Sequence, residues 1–117
     1  MTIAEFIIKL KNDVEPVSFQ ETIAVIDTNY QFTPTAFSNG NQINKVGENN
    51  GSCKIFAFAK LNQLDQLQTL SCFGSYYFEE VLKNPEGMDH QNIRNFMKIG
   101  WVGIRFEKEA LFENSVL

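Results

Sequence analysis

The sequence predicts an α+β fold, with about five helices packed on a small, mainly antiparallel β-sheet, and three observations predict it. Five stretches carry apolar residues at helical spacing, most of them behind an N-terminal capping signal. The segment Trp101 to Phe106 alternates apolar residues as a strand does, and Asn39-Gly40 is a hairpin turn pair between extended flanks. With 117 residues there is room for one core, so 1–117 is taken as a single domain. Eleven phenylalanines make that core an aromatic one.

Thr2 and Glu5 have capping-box spacing, and Ile3, Phe6, Ile7 and Leu10 follow as the buried stripe of a first helix that runs out at Asn12-Asp13. Ser18 and Glu21 repeat the signal for a second helix, with Phe19, Ile23, Ile26 and Tyr30 as its ridge, ended before Pro34. Thr35 to Val46 reads as a ribbon turning at Asn39-Gly40, which sets Ala36 opposite Ile43 and Thr35 opposite Asn44. A ribbon this thin in apolar groups belongs at a sheet edge. Ser52 is the expected cap of a third helix, apolar nearly all round through Ile55, Phe56, Phe58, Ala59 and Leu61. Asp65 and Gln68 open a fourth that carries Leu67, Leu70, Phe73, Tyr77 and Val81 inward, with Gly74 allowing close helix contact. Asp89 is the expected cap of a fifth helix, with Ile93, Phe96 and Met97 inside and Gly100 at its stop. In the final strand Trp101 and Arg105 share the more open face, and the tail reads as a last helical turn or a frayed end.

Net charge is −4, and only Arg94 and Arg105 among ten basic residues are arginine, which argues against nucleic acid as a partner. No stretch reaches the ~20 apolar residues that span a bilayer, and charges from Glu5 onward break any signal-peptide core, so no membrane association and a cytoplasmic location are expected. Two cysteines, Cys53 and Cys72, are expected as reduced thiols. With one histidine and two cysteines at unrelated spacings, no metal site and no cofactor are expected.

The glycine-containing loop before the third helix offers the clearest chemistry. Helix N-termini present free amides to anions, which makes Asn50, Gly51, Ser52 and Lys54 candidate ligand-binding residues, although the spacing is not that of a phosphate loop. A plain capped helix start explains the same residues. Cys53 lies at that helix start, where dipole and lysine lower a thiol pKa, and together with His90 and Asp89 it can be written as a catalytic constellation. A buried packing cysteine is the simpler account. His90, Arg94 and Lys98 stand four residues apart as a basic stripe, or as an ordinary solvated face. Trp101 and Arg105 can stack or line a groove.

The segments TIAVIDTNYQFTPTAFSNG (22–40), NNGSCKIFAFA (49–59), CFGSYY (72–77) and NPEGMDHQNIRNFMKIGWVGIRF (84–106) resemble the HopJ type III effector family, nearly end to end. The resemblance implies a bacterial protein whose family name refers to type III secretion, and it implies no activity, cofactor or catalytic residue. The leading functional expectation is a non-catalytic binding or interaction module with an unidentified protein or small-molecule partner. The alternatives are a cysteine-dependent hydrolase or transferase using Cys53 and His90, and an anion- or nucleotide-binding module at Gly51–Lys54.

Overall fold

Three helices begin on a capping box, in which the cap side chain satisfies one free amide of the first turn. The structure, a computed structural model, describes residues 1–12 and 16–114. The end of the first stripe at Asp13 and the tail beyond Asn114 lie outside the described residues. In α1 (Ile3–Lys11), Thr2 Oγ1 accepts from the Glu5 amide at 3.0 Å while the Glu5 carboxylate accepts from the Thr2 amide at 2.9 Å. Ser18 and Glu21 do the same for α2 (Phe19–Asn29), and Asp65 and Gln68 for α4 (Gln66–Ser71). Phe6 is fully buried and Leu10 packs against the core, while Lys9 pairs with Glu21 at 2.7 Å to join α1 and α2.

The chain leaves α2 directly into β1 (Tyr30–Phe32), which pairs antiparallel with β5 (Leu111–Glu113). The expected helical or frayed ending is thereby corrected. Ala110 and Leu111 are buried, and the backbone bonds Thr33 N–Ala110 O (2.8 Å) and Asn114 N–Asn29 O (3.2 Å) fix the returning strand.

The second sheet has the order β3-β2-β4, from β2 (Phe37–Asn39), β3 (Gln42–Asn44) and β4 (Ile104–Phe106), all antiparallel. Its turn is Gly40-Asn41, not Asn39-Gly40, and Gly40 alone takes a positive φ of 62°. Phe37 therefore faces Asn44 and Ser38 faces Ile43. The register differs from the expected one because Asn39 is fully buried, its Nδ2 donating to Asn92 O at 2.7 Å, and is unavailable for a solvent-exposed tip. The ribbon is not peripheral either, since β2 is the central strand and only β3 of the ribbon lies at an edge.

The fully buried stretch Ile55–Ala59 of α3 (Asn50–Leu61) forms the middle of the core, apart from slight exposure of Ala57, and Leu61 is exposed at the helix end. Phe56 sits at the hub of the aromatic cluster, with ring contacts to Phe37, Phe73, Phe96 and Trp101 at 5.0–6.4 Å. The fourth predicted helix is interrupted. After α4 the chain turns at Gly74, with φ +59°, and continues as a π-helical segment, Tyr76–Val81. Leu70, Phe73, Tyr77 and Val81 are buried as expected, whereas Leu67 is exposed.

Gly100 stops α5 (Gln91–Ile99) as predicted, with φ 71° and ψ −153°. The chain then makes a 3₁₀ turn (Gly100–Gly103), leaving the strand only three residues long. This corrects the proposed pairing of Trp101 with Arg105. The Trp101 indole packs edge-on against Phe96 at 5.1 Å and donates from Nε1 to Leu64 O at 3.1 Å, while Arg105 is exposed on β4 and Val102 points to solvent. No helix among the described residues is long and apolar enough to cross a membrane.

Candidate functional site

The two remaining helix starts differ from the other three. An N-cap residue normally lies in the extended region, so that its side chain can reach back to the first-turn amides. Asn49 before α3 (φ 53°, ψ 48°) and His90 before α5 (φ 51°, ψ 47°) are both left-handed, and neither gives a side-chain cap. They correct the expected caps Ser52 and Asp89. Helix α3 begins before Ser52, with Cys53 N already bonded to Asn49 O at 3.0 Å, and the Asp89 carboxylate is taken by Arg94 Nη2 at 2.6 Å. Only one other non-glycine residue among those described, Gln63, has a positive φ. Strained backbone of this kind costs on the order of 1–3 kcal/mol per residue and concentrates at functional sites.

Both uncapped starts open on the same pocket, of about 440 Å³. Asn49, Gly51 and Ser52 line it from α3, and His90, Gln91, Asn92 and Ile93 line it from α5. Phe19, Phe73 and Tyr76 supply aromatic walls, with Phe19 and Tyr76 edge-to-face at 5.0 Å, and Gln42 completes the rim. Gly51 lets the Phe19 ring close on this wall, because a Cβ there would lie 2.9 Å from that ring and push it aside. The first-turn amides of a helix have no intrahelical acceptor, and the macrodipole adds partial positive charge to them. Two such ends on one pocket favour an anionic group.

An asparagine network holds the two ends together. Asn44 Oδ1 accepts from Asn49 Nδ2 at 2.7 Å and from Asn92 Nδ2 at 3.0 Å, so a single oxygen on β3 bridges the starts of α3 and α5. Asn39 and Asn44 donate in turn to Asn92 Oδ1, each at 3.2 Å. Asn39, Asn44 and Asn92 are buried, and among the described residues Asn39 Oδ1 is the one buried side-chain polar atom left without a hydrogen-bond partner.

The predicted site residues divide. Gly51, Ser52 and His90 meet at the pocket. Asn50 is exposed on the first turn of α3 and does not line it. Lys54 is directed to Asp27, at 2.8 Å, and over the Phe32 ring. Arg94 forms no basic stripe. It is buried, donating from Nε to Asp89 O (2.6 Å) and from Nη1 to Asn84 O (2.8 Å). That guanidinium holds the Asp89 carboxyl below its usual range. Trp101 and Arg105 lie outside the pocket.

Cys53 and His90 do not form the proposed nucleophile–base pair. The Cys53 thiol is only 1% exposed and faces Thr35 O at 4.0 Å, whereas the His90 ring packs against Tyr76 and its Nε2 lies 2.9 Å from Glu80 Oε1. Burial pushes the Cys53 thiol up, opposite to the lowering that the helix start suggested, and drives Cys72 to about 12. Both thiols should therefore resist iodoacetamide at about pH 8 in the folded protein and react fully once it is denatured. Rapid native alkylation of Cys53 would contradict this geometry.

Sequence reasoning missed Gln42, Tyr76 and Gln91 as site residues and took Phe19, Phe73 and Ile93 for core alone. No local pattern marks them, since the pocket is assembled by packing between distant segments.

No curated protein matches the chain. The crystal structure of a protein of unknown function, VPA0580, is 55% identical, with a TM-score of 0.95 over 97% of this chain and 95% of that one. The family model for the HopJ type III effector protein matches residues 3–111. The aromatic core and the stretch 84–106, which builds the α5 side of the pocket, both fall within that match, and the chain belongs to the HopJ type III effector family.

Proposed function

We infer that the protein is a non-catalytic binding module whose ligand is a small anion bearing an aromatic or apolar part. The observation that carries this reading is the convergence of the two uncapped helix starts on one pocket with aromatic walls. The anionic group sits against the first-turn amides of α3 and α5, and the flat part lies against the aromatic wall that Phe19 and Tyr76 form together. This relocates the anion-binding reading from Gly51–Lys54 to Gly51, Ser52, Gln91 and Asn92, since Lys54 is engaged elsewhere. A buried, raised-pKa thiol away from the pocket gives no support to the cysteine hydrolase.

A thermal-shift panel of aryl and nucleoside phosphates, run beside their uncharged counterparts, tests it. A ligand that binds only the folded state at a hundred times its Kd stabilises by about 2.7 kcal/mol. The charged compounds should raise Tm and the uncharged ones should not. Gly51→Ala provides the control. Its methyl displaces the Phe19 ring, a movable side chain, while the substitution adds helix propensity, so folding stability should hold and the ligand shift should shrink. Equal shifts with charged and uncharged compounds, or an undiminished shift in Gly51→Ala, contradict the reading.

A further inference from the structure

Beside the pocket, one imidazole and two carboxylates come together from separate elements. Glu80 is on the π-helical segment, while Asp89 and His90 precede α5. The ligand-capable atoms of all three lie within 4.8 Å of one another. His90 Nε2 is 2.9 Å from Glu80 Oε1 and 3.8 Å from Asp89 Oδ2, the second too long for a hydrogen bond.

The surroundings orient each group. Arg94 occupies Asp89 Oδ1 and is itself locked to two backbone carbonyls, so Asp89 Oδ2 is the oxygen presented to His90. Tyr76, one turn before Glu80 on the π-helical segment, packs against the imidazole with ring centroids 5.3 Å apart. A π-helical turn shifts the phase of the side chains that come after it, and such turns recur at functional sites. An outer-sphere bond of the kind Arg94 makes to Asp89 is characteristic of metal centres, while Tyr76 restrains the imidazole by packing alone.

We propose that Glu80, Asp89 and His90 bind a divalent transition-metal ion of the zinc type, with at least one coordination position open toward the pocket that His90 lines. One imidazole nitrogen with two carboxylate oxygens is a donor set that suits zinc and its neighbours better than calcium or magnesium, which take oxygen. Two carboxylates, one guanidinium and a neutral imidazole leave one net negative charge, and a divalent ion turns this into one net positive charge. The ion binds through the Nε2 lone pair of His90, and it adds positive charge at the pocket's edge. The proposal does not depend on the anion-binding reading, because the metal is tested alone and the anion panel can be run with chelator present.

His90 is the only histidine, so its ring resonances are unambiguous. Titrating the full-length protein with zinc chloride at about pH 7.5 should shift the Nε2 signal and saturate at one equivalent, with a matching calorimetric isotherm. Glu80→Gln and Asp89→Asn should each weaken binding by at least about tenfold, and a Cys53→Ala, Cys72→Ala double variant should leave it unchanged. An unmoved His90 ring, an affinity indifferent to both carboxylate variants, or binding lost with the cysteines would overturn the site.

Discussion

Replacing Gly74 with alanine should destabilise the protein by about 3 kcal/mol, although only one methyl group is added. Two costs combine. Gly74 has φ +59°, a conformation that costs a residue with a Cβ roughly 1–3 kcal/mol. The new Cβ would also lie 2.7 Å from Phe19 N and 3.1 Å from Ser18 C, backbone atoms at the capped start of α2 that have no rotamer to escape into. Urea unfolding should show a lower midpoint with an unchanged slope. Because Phe19 begins α2 and lines the pocket, the variant should also weaken any pocket ligand. A stability equal to that of the unmodified chain would mean that the Gly74 turn does not pack on the start of α2 as described.

Truncation of Phe56 should be more severe. Its ring is fully buried and touches four aromatic neighbours, from β2, the Gly74 turn, α5 and the 3₁₀ turn. Phe56→Ala removes those contacts at once and leaves a cavity, an expected loss of about 4 kcal/mol. Domains of this size have only about 5–15 kcal/mol in all, so the variant should sit near its unfolding threshold at about 37 °C. Phe56→Leu keeps most of the volume and should lose clearly less. If Phe56→Ala unfolds at the midpoint of the unmodified chain, the aromatic hub does not organise the core.

These two residues mark what a reading of the sequence reaches. Capping boxes at Thr2, Ser18 and Asp65 were legible because both partners lie within one helical turn of each other, and the helix stop at Gly100 is equally local. The buried faces of α3 and α5 came from apolar spacing. The hairpin register did not, because it depends on Asn39 reaching Asn92, 53 residues away. The break at Gly74 depends on the backbone of Ser18 and Phe19, and β5 on the distant strand β1, so neither has a nearby signature. For the site, Gly51, Ser52 and His90 were accessible as residues at helix starts. That both helices begin on a left-handed residue, and that one asparagine oxygen joins them, arises only from tertiary contacts. Chemistry read from neighbours in sequence misled at Cys53, where burial pushes the thiol up, and at Arg94, which is spent on holding Asp89.

The central claim is that the starts of α3 and α5 act as one anion site, and backbone amide NMR tests it most directly. On titration with phenyl phosphate, the amides of Gly51, Ser52, Gln91 and Asn92 should shift together along one saturable curve with a single Kd. The starts of α1 and α4, which lie outside the pocket and where a capping side chain already accepts from one first-turn amide, should stay still. Shifts confined to exposed lysines, separate curves for the two helices, or a response that grows linearly with phosphate concentration would contradict the claim.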